Sequence, residues 1–183
     1  MNFCKKLNGQ SNLSILFVFL FLASFTSLAN NYSIYLVRHA EKLDDSKNPA
    51  LTVCGKLRAL QLASLLSQTN ITSIYSTHYQ RTMQTATPLA NQKKIAIKNY
   101  NPKYLEQLSL QLQQNRVNTL VVGHSNTTPR LVALLTKQTV TALSEQDYQQ
   151  LYQVQYTGGQ AILTIFQQPL SCENVSAENK KDS

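Results

Sequence analysis

Chemistry-bearing side chains cluster at three places along this chain. Arg38 and His39, with Glu41 close behind, end an apolar, β-branched run over residues 32–37. Arg81 follows a second such run over 71–75, and His124, with Ser125 and Asn126, follows a third over 119–122. Cationic or titratable groups at the end of a buried strand are costly unless something anionic meets them. A phosphoryl group fits, because its charge spreads over several oxygens and arginine offers a planar fork that holds two at once. Such forks also disfavour protonation of a nearby imidazole, which keeps it nucleophilic. The chemistry expected is phosphoryl transfer, with His39 attacking and Arg38, Arg81 and His124 stabilising the charge. No metal or cofactor is expected, since three scattered histidines lack ligand spacing and no CxxC occurs.

Four strand-then-helix units position these groups. Residues 32–38 read as the first strand, followed by a polar loop over 42–50 with an Asn48-Pro49 turn signal. Thr52 is the expected N-cap of a helix whose wide core face carries Leu57, Leu60, Leu62, Leu65 and Leu66 with Ala59 and Ala63, and Gly55 in its first turn permits close approach of a neighbouring strand or ligand. A strand over 71–75 leads to a helix over 79–91, which Pro88 is expected to bend or shorten. A strand over 94–98 precedes a helix from Asn101 to Asn115, and a buried strand over 119–122 precedes a helix with Pro129 near its start. Residues 144–148 suggest a short helical turn. Residues 151–156 and 160–166, joined by Gly158-Gly159, read as a hairpin. The fold class expected is α/β: a mainly parallel central sheet with helices on both faces and a C-terminal antiparallel hairpin. Ligands bind such sheets beyond the carboxyl ends of the strands, where Arg38, His39, Arg81 and His124 all fall.

Four blocks carry a resemblance, in order: Arg-His-Ala-Glu-Lys (38–42), Asn-Pro-x-Leu-Thr-x-x-Gly-x-x-Arg-Ala (48–59), Ser-x-x-x-x-Arg-Thr-x-Gln-Thr-Ala (76–86) and Val-Val-Gly-His-Ser-Asn-Thr-x-Pro (121–129). Together they resemble the histidine phosphatase superfamily, the phosphoglycerate mutase-like group. The resemblance implies that His39 accepts the phosphoryl group and that Arg38, Arg81 and His124 complete its pocket. Among flanking residues, Asn126 either donates to a phosphate oxygen or caps the helix after it, the cap being favoured, and Ser125 is similar. Glu41 either holds the His39 tautomer, braces Arg38 or is a solvated carboxylate. Arg58 reads as structural. His78 stands where the family commonly has proline and reads as a rim residue.

The departure from the family concerns the leaving group. Many members supply a carboxylic acid from the region after the third strand or the second helix. Here residues 95–111 hold one acid, Glu106, and Asn48 and Asn101 stand where relatives often carry aspartate. Without an acid an alkoxide leaves poorly while a phenolate leaves unaided, so aryl or N-phosphoryl substrates are expected to be turned over and simple alkyl phosphates poorly. The function expected is a phosphohydrolase, a phosphomonoesterase or phosphohistidine phosphatase. The alternative is a non-catalytic module that keeps the phosphate pocket.

The N-terminus adds an address. Lys5 and Lys6, an apolar run over 13–22 and Ser27-Leu28-Ala29 read as a signal peptide over 1–29, its core short of the ~20 residues of a membrane span. Cleavage after Ala29 leaves 154 of the 183 residues, enough for one domain (30–168) and a polar, mobile tail (169–183). The expected location is secreted or periplasmic, or membrane-anchored if the segment is retained. Lys5 and Lys6 account for two of the formal +8, and the rest is spread thinly. Anionic partners follow, a phosphorylated small molecule or phosphoprotein, with no sign of nucleic-acid binding and no stable membrane insertion once the signal is gone. For Cys54 and Cys172, two free thiols are favoured over a disulfide.

Overall fold

The computed structural model describes residues 31–170 and Cys172. The expected signal peptide over residues 1–29 lies outside these residues, as does nearly all of the expected tail beyond Leu170. Ten elements alternate: β1 (Tyr32–Arg38), α1 (Val53–Leu65), β2 (Ser73–Ser76), α2 (Gln80–Lys93), β3 (Ile97–Asn99), α3 (Leu105–Asn115), β4 (Thr119–Gly123), α4 (Thr127–Thr136), β5 (Gln150–Thr157) and β6 (Gln160–Gln167). One six-stranded sheet runs in the order β3-β2-β4-β1-β5-β6. The pairs β1–β4, β2–β4 and β2–β3 are parallel, while β1–β5 and β5–β6 are antiparallel. This is the expected α/β fold.

Two apolar cores cover the sheet's faces. Ile34, Leu36 and Val121 pack with Leu105 and Leu108 of α3 and Leu131 and Leu135 of α4. Val37, Ile74, Leu120 and Val122 pack with Leu62 of α1 and Ala86 and Leu89 of α2 on the other side. Strands buried on both faces are expected to be rich in Val, Ile and Leu, as β4 is over Leu120, Val121 and Val122, while β1 mixes Ile34, Leu36 and Val37 with tyrosine and serine. Among the described residues no helix is long and apolar enough to cross a membrane.

Several details differ from the sequence reading, each for a physical reason. In α1 Ala59, Leu62 and Ala63 face inward as expected, and Leu66 just beyond it is buried, but Gly55 and Arg58 join them while Leu57, Leu60 and Leu65 are exposed. A buried ion pair at Arg58 sets that rotation. Thr52 does cap α1, accepting from the Gly55 N–H at 2.9 Å. Pro88 neither ends nor shortens α2, which runs to Lys93 because Ala86, Leu89 and Ala90 are held in the core around it. Residues 144–148 make a single turn, the Asp147 N–H donating to the Ser144 carbonyl at 3.2 Å, but no helix, and run on as a strap before β5. The β5–β6 turn takes positive φ at Gly158 and Gly159, as a two-residue hairpin requires. Cys54 and Cys172 are joined by a disulfide, against the two free thiols expected. The fold carries Cys172 back to the start of α1, a proximity that the 118-residue separation hides.

Candidate active site

Strand register decides which side chains meet. Arg38 is level with Gly123 across β1–β4, and Ser76 is level with Val122 across β2–β4. The His39 N–H donates to the Gly123 carbonyl at 3.0 Å, carrying the pairing one residue past the strand. Three neighbouring strands therefore end on one line. There Arg38, His39, Arg81, His124, Ser125 and Asn126 share the walls of a cavity of about 630 Å³.

His39 is 3% exposed, and its Nδ1 lies 2.8 Å from the Ala40 carbonyl. A carbonyl only accepts, so Nδ1 carries the proton and Nε2 keeps its lone pair. The His124 ring stands edge-on to it, centroids 5.5 Å apart. A hydroxyl relay fixes the His124 tautomer. Thr82 Oγ1 donates to backbone carbonyls, so Thr77 Oγ1 donates to Thr82 and accepts from His124 Nε2 at 2.9 Å. The His124 Nδ1 lone pair then faces Arg81 Nη2 at 3.4 Å. Burial first, and then the charges of Arg81 and Arg38, push His124 down to about 4. Burial is also the larger cause for His39, pushed down to about 3 with Arg38, His124 and Arg81 adding to it against the Ala40 bond. Both rings are neutral at neutral pH.

The guanidinium groups are only partly used. Arg38 is 3% exposed and gives Nη1 to the Ser144 carbonyl and Nη2 to Glu145 Oε2, each at 2.8 Å, with the Tyr148 ring 4.2 Å from its Cζ. Arg81 lies over the Tyr79 ring at 4.6 Å. The Nε of each is buried with no hydrogen-bond partner. Buried orphan donors of this kind are rare and call for an acceptor.

Glu41 departs from the expectation. Its carboxylate is not among the cavity walls but is clasped by Arg58, whose Nε reaches Oε1 at 2.9 Å and Nη2 reaches it at 2.5 Å. The Cys172 sulfur lies 2.9 Å from the same oxygen. The tautomer role considered for Glu41 falls to the Ala40 carbonyl instead. Arg58 is 3% exposed, as a structural arginine. Asn126 sits at the N-cap position of α4 without a capping bond from its side chain, and Thr127 Oγ1 instead accepts from the His124 N–H at 2.9 Å. The cap reading is thereby corrected, and the Asn126 amide is left on the cavity wall. Asn48 accepts from the Gln80 N–H at 2.7 Å, serving the start of α2. His78 is exposed and outside the cavity lining.

Sequence reasoning missed Thr77, Tyr148 and Glu145. Thr77 follows a strand and resembles any buried threonine. Tyr148 and Glu145 come from a strap whose sequence carries no motif, and only the folded chain lays it against Arg38.

The comparisons agree with this architecture. The description "Histidine phosphatase superfamily (branch 1)" matches residues 34–101, a stretch that includes Arg38, His39 and Arg81. A search of curated proteins by sequence finds no match. Among solved structures, the protein histidine phosphatase SixA complexed with tungstate is similar at a TM-score of 0.61 and 15% identity, covering 78% of this chain and 99% of that one. The alpha-ribazole phosphatase from Shigella flexneri gives 0.62 and 13%, covering 74% and 96%. A phosphoserine phosphatase from Entamoeba histolytica, in complex with 3-phosphoglyceric acid, gives 0.58 and 17%, covering 74% and 96%. At such identities the likeness shows the fold. The resemblance to the histidine phosphatase superfamily is thus present at two levels, in sequence across residues 34–101 and in fold across about three-quarters of the chain.

Proposed function

We propose that this chain is a phosphohydrolase, a phosphomonoesterase or phosphohistidine phosphatase, working through a phosphohistidine on His39 Nε2. The observation that carries the reading is the pair of buried, unpartnered Nε donors of Arg38 and Arg81 beside a histidine whose Nδ1 is committed to a backbone carbonyl. Two cationic forks and a neutral imidazole are what an in-line displacement at phosphorus needs: charge stabilisation and an available lone pair. The Ala40 carbonyl adds to this, because the ring becomes positive as the P–N bond forms and Nδ1–H then donates more strongly. His124 is neutral in the free site, but a phosphoryl dianion raises its proton affinity and makes Nδ1 a further donor. Asn126 is placed to offer its amide to the same oxygens. The charge the transfer needs comes from these side chains, so the reaction is written without a metal.

The test is acid-labile incorporation of labelled phosphate. The expected result is trapping on the wild-type chain and none on His39→Ala. Tight phosphate binding without trapping would instead favour the non-catalytic module. We propose also that the chain is exported, a reading supported by its basic-then-apolar start and by the Cys54–Cys172 disulfide, a bond that persists in oxidising compartments.

A further inference from the structure

The strap before β5 brings into the cavity a carboxylate that the reaction above does not use. Glu145 Oε2 accepts from Arg38 Nη2 at 2.8 Å, and Oε1 accepts from Ser125 Oγ at 3.0 Å. It is the one acid among the described residues that line the cavity. Glu106, the acid in the stretch where relatives commonly place theirs, is taken up by Arg130 on the surface at 2.6 Å. Arg38 is divided between partners: Nη1 on the Ser144 carbonyl, Nη2 on Glu145, and a buried Nε open. A phosphoryl oxygen on that Nε would share the guanidinium with the Glu145 carboxylate, and the two anions would sit side by side. The Glu145 side chain is 67% exposed, so it also meets solvent.

We propose that Glu145 is the proton carrier of the reaction, protonating the leaving oxygen in the first step and deprotonating water in the second. This rests on the phosphatase reading above. In the free site the Ser125 hydrogen bond, and after it the Arg38 charge, hold Glu145 below the usual carboxylate range. A bound phosphoryl dianion reverses that balance, because a like charge alongside raises proton affinity. A monoester that arrives as the monoanion passes its proton to Glu145. His39 Nε2 then bonds to phosphorus as the P–O bond to the leaving group breaks, and Glu145 gives its proton to that oxygen, releasing an alcohol. In the second step water oxygen bonds to phosphorus, the P–N electron pair returns to Nε2, and the water proton passes to the Glu145 carboxylate.

The experiment compares glycerol phosphate with p-nitrophenyl phosphate on wild type, Glu145→Gln and Glu145→Asp, with phosphoenzyme trapping on each. A p-nitrophenolate leaves without a proton, whereas an alkoxide does not, and general acid catalysis is worth roughly 100-fold or more. The expected result is that Glu145→Gln lowers kcat on glycerol phosphate at least tenfold more than on p-nitrophenyl phosphate, with Glu145→Asp intermediate. A proportional loss on both substrates would mean that Glu145 only positions Arg38, and an unchanged kcat on both would mean that it has no part; either overturns the proposal. Absence of phosphoenzyme on the wild type with both substrates would overturn the phosphatase reading itself.

Discussion

His39 and His124 are each buried as neutral rings among arginines, and this has a consequence for stability as well as for reactivity. Their folded-state values, about 3 and about 4, lie below the ordinary 6.5. Between those limits the unfolded chain binds protons that the folded chain does not, so acidification favours unfolding. Stability is therefore expected to fall as pH drops below 6.5 and to stay level above it as far as these two groups are concerned. Each pH unit within the window costs at most about 1.4 kcal/mol per histidine. Urea unfolding between pH 5 and 7 isolates the effect, because the carboxylates with lowered values start from 4.5 or below and add their slope only in more acidic solution. The urea midpoint should drop between pH 7 and pH 5, and His39→Asn should reduce that drop; an equal midpoint at both pH values would contradict the neutral assignment. At this scale the meeting of Arg38, His39, Arg81 and His124 in one cavity was legible in the sequence, since each follows an apolar run that reads as a buried strand. Glu145 was not, because nothing in Ser144–Tyr148 distinguishes it from any polar connection, and its partner Arg38 lies 107 residues away.

The element that holds the His39–Glu41 loop in place is α1, and it does so through the absence of a side chain. A Cβ at Gly55 would land against the Glu41 carbonyl oxygen and 3.0 Å from the Glu41 nitrogen. These are backbone atoms two residues after His39, and the Thr52 N–H donates to the same Glu41 carbonyl at 2.9 Å. Gly55→Ala must therefore push α1 and the His39–Glu41 loop apart. The expected cost is about 1–3 kcal/mol in unfolding free energy, with a fall in kcat greater than the same loss of stability produces at an exposed site such as Leu60. Chemical denaturation alongside kinetics on both variants checks this. The alternation of strands and helices was readable from periodicity, and so was the close approach at Gly55. The inward face of α1 was legible only in part: Ala59, Leu62 and Ala63 are buried as expected, but leucines at 57, 60 and 65 suggest a wider core stripe while the folded helix turns Arg58 inward to meet Glu41. A buried ion pair with a partner 17 residues upstream outweighs hydrophobic patterning, and patterning alone does not reveal it.

Across the whole molecule, one covalent link joins the start of α1 to Cys172, spanning 118 positions. Closing a loop of that size restricts the unfolded chain by about 4–5 kcal/mol in the chain-entropy account. Protein recovered outside the cytoplasm is expected to lack residues 1–29 and to carry no free thiol at Cys54 or Cys172. Reduction should lower its Tm by several degrees, and Cys172→Ser should match the reduced wild type; thiols that label freely in native exported protein would count against both the link and the compartment. The order of strands has a further consequence, for the time at which the chain can fold. Strand β1 is the first to leave the ribosome, yet its two neighbours in the sheet are β4 and β5, ending at Gly123 and Thr157. Until the chain has been made past Gln150, the strand that leads into His39 has an unpaired edge, and Arg38 lacks the strap that holds it. A nascent chain therefore stays open through most of its synthesis, in the state that threading through a narrow channel requires, and the site assembles only when nearly everything has arrived.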